Sequence, residues 1–88
     1  MKRIVKIRIK IDPKKSVSAP CGAFLCARQA GNYAEIYCRE WEEQASKPCQ
    51  WLFVKVGQTV PLEYGVVPCV FKFGPAEYVL ATNCFANV

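Results

Sequence analysis

The stretch NYAEIYCREWEEQASK, residues 32–47, decides the fold class, because it carries the clearest helical signal in the chain. Asn32 stands where its side chain accepts from first-turn amides, and Glu35, three residues on, reaches back to the Asn32 amide as in a capping box. At 100° per residue, Tyr33, Ala34, Tyr37, Cys38, Trp41 and Ala45 share one arc, while Glu35, Arg39, Glu42 and Glu43 share the opposite one. Glu35 to Arg39 and Glu43 to Lys47 are acid-first pairs four apart, worth about 0.3–0.5 kcal/mol each in a helix. Gly31 breaks whatever precedes, and Pro48 prevents continuation. The spacing therefore predicts an amphipathic helix from Asn32 to near Lys47. As a strand, the same stretch mixes charge with aromatics.

Working outward from that segment, the texture on both sides is β. Residues 1–11 alternate charge with aliphatics: Val5, Ile7, Ile9 and Ile11 point one way, Lys6, Arg8 and Lys10 the other, with Ile4 the single apolar residue on the basic side. Asp12 and Pro13 end that strand, and a loop is expected to about Pro20. Residues 21–29 suit a short strand or a helix opened by Ser18, with the balance toward strand. Residues 50–56 read as a strand with Trp51 and Phe53 on one face and Leu52, Val54 and Val56 on the other. Residues 66–73 read as another, whose Pro68 argues for an edge or a bulge. Gly74 and Pro75 form a turn into a last strand, residues 77–85, with Tyr78, Leu80, Thr82 and Cys84 on one face.

The expected architecture is α+β, a single domain over residues 1–88 with a largely antiparallel sheet of four to five strands. The helix lays its Tyr37 and Trp41 face on one side of that sheet. An all-β barrel or sandwich is the alternative. Apolar residues make up 52% of the chain and aromatics 12%, a composition that can offset the ordering entropy of folding.

Seven of the twelve basic residues fall in residues 1–15 beside one acid, which leaves five bases against six acids in the remainder. The net charge of +5 is thus a local patch built from Lys2, Arg3, Lys6, Arg8, Lys10, Lys14 and Lys15. No apolar run reaches the ~18 residues that cross a bilayer, and no signal-like apolar block follows the basic start. The expected compartment is the reducing cytosol, with no membrane partner and with most of the six cysteines as buried thiols. An oxidised framework would leave fifteen pairings among which spacing does not choose.

The chain contains no histidine, which removes Ser-His and Cys-His pairs, histidine bases and histidine metal ligands. Cys21 beside Gly22 lacks the histidine a thiol nucleophile needs, and the cysteines lack the close pairing of a structural zinc site. Gly57, Gly65 and Gly74 stand alone, so no phosphate-cradling loop or cofactor motif is present. Glu40, Glu42 and Glu43 fall on the solvent side of the expected helix rather than converging as an acid-base cluster.

What remains is binding. The basic strand meets phosphates or an acidic protein surface, or simply keeps an edge strand from pairing with a neighbour. It carries aliphatics where a single-strand binder interleaves aromatics, so base recognition is poorly supported, while binding of a nucleic-acid backbone or an acidic protein survives. Tyr33, Tyr37, Trp41, Trp51 and Phe53 are expected in the core, with Tyr64 and Tyr78 freer to anchor a partner. Exclusion leads to a non-enzymatic protein-binding module without a cofactor, its partner bearing an acidic surface. Its size and type suit a viral or mobile-element accessory protein that inhibits a nucleic-acid-handling complex by occlusion. Direct nucleic-acid binding and a structural particle subunit are the alternatives.

Overall fold

The computed structural model describes residues 3–39 and 47–85. They form seven strands: β1 (Ile4–Lys10), β2 (Ser16–Cys21), β3 (Ala23–Ala30), β4 (Tyr33–Arg39), β5 (Lys47–Lys55), β6 (Gly65–Phe73) and β7 (Ala76–Thr82). A 3₁₀ turn, Asn83–Phe85, follows. One sheet has three strands in the order β1-β4-β3, the other four in the order β2-β5-β7-β6, and every pairing is antiparallel.

The α+β expectation is therefore corrected. Residues 33–39 are not the first two turns of a helix but the central strand of the three-stranded sheet, and the all-β sandwich is the architecture. Period two explains why: Ala34, Ile36 and Cys38 alternate with Tyr33, Glu35, Tyr37 and Arg39, and the first set is fully buried. Ile36, which belongs to neither helical arc, sits opposite Ile7 and Ala27 at the centre of the sheet. The supposed cap, Asn32, instead forms with Gly31 the two-residue turn between β3 and β4. Gly31 takes φ +62, a left-handed conformation that hairpin turns of this length use and that glycine adopts without a Cβ penalty. The rest of the expected helix, including Glu40, Trp41, Glu42, Glu43 and Ala45, lies outside the described residues.

The expected loop to Pro20 is also shorter than anticipated, since Ser16 onward pairs with β5. Val17 and Ala19 point toward the core while Ser16 and Ser18 stay exposed, and Pro20 is tolerated on an edge strand. Pro68 marks both features expected of it: β6 is an edge strand, and its register against β7 shifts between Val66 and Val70. Only Gly22 separates β2 from β3, so the chain crosses from one sheet to the other in a single residue.

The inner faces of the two sheets form one core, with Ile9, Ile11 and Ile36 on one side and Trp51, Phe71 and Leu80 on the other. Phe53 and Phe71 meet edge to face with ring centroids 5.7 Å apart. The buried Trp51 indole N–H donates to the Ala19 carbonyl at 3.2 Å, so this polar atom is satisfied inside the core. Two disulfides correct the reading of most cysteines as thiols. Cys21–Cys38 ties the end of β2 to β4 across the sheets, and Cys49–Cys84 ties β5 to the 3₁₀ turn. Cys26 and Cys69 remain free thiols. Among the described residues no helix is long and apolar enough to cross a membrane.

Candidate functional site

The turn that joins β3 to β4 also sets what faces solvent. A two-residue turn at Gly31 and Asn32 fixes a hairpin register in which Ala30 opposes Tyr33 and Arg28 opposes Glu35. On the other side of β4 the register places Lys10 opposite Tyr33, Arg8 opposite Glu35 and Lys6 opposite Tyr37. Three rows therefore cross the outer face of the three-stranded sheet: Lys10, Tyr33, Ala30; Arg8, Glu35, Arg28; and Lys6, Tyr37, Cys26. Arg39, opposite Ile4 and Ala23, extends the face at one end. A bulge at Leu25 restores the phase, since the register shifts between Phe24 and Cys26.

Glu35 is the electrostatic centre of this face. It is 3% exposed although it lies on the outer side, because the long side chains around it close over the carboxylate. The Arg28 Nε–H donates to its Oε1 at 2.7 Å, and Arg8 Nε and Lys6 Nζ stand 3.6 and 3.7 Å from its Oε2. The Tyr37 hydroxyl donates weakly to the same Oε1 at 3.5 Å. The hydrogen bond from Arg28 holds the Glu35 carboxyl below its ordinary range; desolvation opposes this, and the charges of Arg28, Lys6 and Arg8 add to it. The expected i, i+4 pair of Glu35 with Arg39 is not formed; in a strand, residues four apart are about 13 Å apart.

Among the described residues, one carboxylate sits with Lys6, Arg8, Lys10, Arg28 and Arg39, and their part of the face is strongly cationic. Lys10 has no carboxylate partner among the described residues. Tyr33 is 44% exposed between Lys10 and Ala30, and Tyr37 is half-buried between Lys6 and Cys26. Both tyrosines, expected in the core, are surface residues of the basic face.

Of the site residues expected from sequence, Lys6, Arg8 and Lys10 form one line along β1, and Arg3 is exposed just before it. Lys14 and Lys15 sit in the exposed turn after β1, where the Lys14 amide donates to Asp12 Oδ1 and the Lys15 amide to the Asp12 carbonyl. Lys2 lies outside the described residues. Tyr64 and Tyr78 do not join them. Tyr64 ends a turn closed by its amide donating to the Pro61 carbonyl at 3.0 Å, before β6 of the other sheet. Tyr78 is half-buried and packs against the core, on the same face of β7 as the buried Leu80 and Thr82.

Sequence reasoning missed Arg28, Glu35, Arg39, Tyr33 and Tyr37 as members of this face. A signal was present: Arg28 and Glu35 are symmetric about the Gly31 and Asn32 turn, and residues 33–39 alternate at period two. Comparison of the chain with protein-family models, with curated proteins and with solved structures finds no match.

Proposed function

We propose that this chain is a non-enzymatic binding module that acts by stoichiometric occlusion, and that the outer face of the three-stranded sheet is its working surface. The target is an anionic surface of a nucleic-acid-handling complex, and the module suits an accessory inhibitor. The observation that supports this is the concentration, among the described residues, of Lys6, Arg8, Lys10, Arg28 and Arg39 on one face around the Glu35 carboxylate already held by Arg28. Charges on an edge strand deter pairing with a neighbour. Arg28 comes from β3, itself an edge strand, but Arg39 comes from β4, a central strand with no open edge to protect.

Such a face attracts polyanions through long-range fields and released counterions, so its affinity falls steeply with salt. The test is salt elution from immobilised heparin. The native protein is expected to elute at clearly higher salt than the Lys6→Gln, Arg8→Gln, Lys10→Gln variant, with circular dichroism confirming that the variant folds. Coincident elution of the two folded proteins would refute the assignment of this face.

A further inference from the structure

We infer, on the footing of the working surface proposed above, that this face takes single-stranded nucleic acid, with Tyr33 and Tyr37 as stacking platforms beside a phosphate rail on β1. Lys6, Arg8 and Lys10 are alternate residues of one strand, so their Cα atoms repeat at about 7 Å along a straight line. A single strand of nucleic acid presents charges that also repeat along a line. Tyr33 and Tyr37 stand one strand over, about 5 Å to the side, directly opposite Lys10 and Lys6. Each tyrosine is thus paired with a cation of the rail, the arrangement in which a base lies on a ring while its phosphate meets a charge.

The aromatics missing from the basic strand are supplied by its neighbour. The charge of Glu35, between the tyrosines, is offset by Arg28, Arg8 and Lys6, each within 4 Å of its carboxylate. Arg28 and Arg39 bound the face beyond the tyrosines and offer planar cations for further stacking or phosphate contact. A duplex fits less well. Its bases are already stacked within the helix, and a flat three-stranded face enters neither groove.

The free, exposed thiol of Cys26 shares a row with Lys6 and Tyr37 and so reports on occupancy of this surface. The experiment is fluorescence anisotropy of short labelled oligo(dT) and oligo(U), with polyglutamate as the acidic-protein probe, alongside alkylation of Cys26 with and without oligonucleotide. Expected are saturable binding of at least one oligonucleotide, a loss of about fivefold or more for Tyr33→Ala or Tyr37→Ala, and retention by the Tyr→Phe variants. The slope of log affinity against log salt should shrink by about 2 when Lys6, Arg8 and Lys10 become Gln, and bound oligonucleotide should slow Cys26 alkylation. Equal affinity for polyglutamate, with the alanine variants unchanged, would overturn the nucleic-acid assignment and leave the anionic working surface standing. Absence of binding to every polyanion would overturn both. Unchanged Cys26 alkylation under saturating oligonucleotide would overturn this placement even if the tyrosine variants failed to fold.

Discussion

Glu35 and Gln29 show how single side chains on a small sandwich can each hold several others. The Glu35 carboxyl lies below its ordinary range chiefly through the Arg28 hydrogen bond, so the folded state binds its proton less readily than the unfolded chain does. Its contribution to stability is complete above the ordinary carboxylate range and is lost as the pH falls through the lower folded-state value. Glu35→Gln is expected to unfold at lower denaturant than the native protein at neutral pH, the two curves converging in acid. A pH series of urea melts that kept a constant gap would show the carboxylate to be idle. Gln29 links the open edges of the two sheets: its amide donates to the Lys72 carbonyl at 2.6 Å and accepts from the Lys72 amide at 2.7 Å. Its side chain thus completes the ladder of β6 as another peptide would. Gln29→Ala should cost about 1–3 kcal/mol in chemical denaturation, for three lost hydrogen bonds, two with Lys72 and one to the Gly31 carbonyl.

The β3–β4 hairpin is the element on which both fold and site turn. If residues 32–47 were helical, Gly31 would only precede an N-cap and its replacement by alanine would be nearly neutral. In the hairpin it holds φ +62 with nothing within 4 Å of a Cβ, so backbone strain alone is the penalty. Gly31→Ala is expected to lower stability by about 1 kcal/mol, read as a shift in thermal midpoint. The same turn sets the pairing of Arg28 with Glu35, so a slip of one residue would turn Tyr33, Glu35 and Tyr37 into the core. The basic side of β1 was legible because its alternation extends over the whole strand, and Ile4 indeed stands out on that side, 63% exposed. The tyrosines were not legible because Tyr33, Ala34, Tyr37 and Cys38 satisfy the 100° period as well as the 180° one. The arbiter was Ile36, whose burial only a strand provides.

Taken whole, the molecule is a thin sandwich whose two layers are joined by Cys21–Cys38, while Cys49–Cys84 fastens the final turn to β5. The sequence separations of 17 and 35 residues correspond to about 3 and 4 kcal/mol of unfolded-state entropy. Paired Cys→Ser variants at either site are therefore expected to fall by amounts of that order in denaturant melts, with Cys21 and Cys38 together also loosening one sheet from the other. Intact mass with and without reductant measures the bonds directly, and a difference of zero would return the four cysteines to thiols. If formed in the cell, the bonds weigh toward an oxidising compartment rather than the cytosol first expected. Partial burial pushes the half-buried Cys69 thiol above its ordinary value, which lowers its thiolate fraction. The sequence by itself determined the β texture outside residues 32–47, the polarity of β1 and the turns at glycine and proline, since each depends on neighbours within a few residues. Only the tertiary structure decided the class of residues 33–39, the cysteine partners and the meeting of Arg28, Glu35 and both tyrosines with the basic strand. Those depend on which strands lie side by side, and pairing across a sheet joins residues that no local period relates.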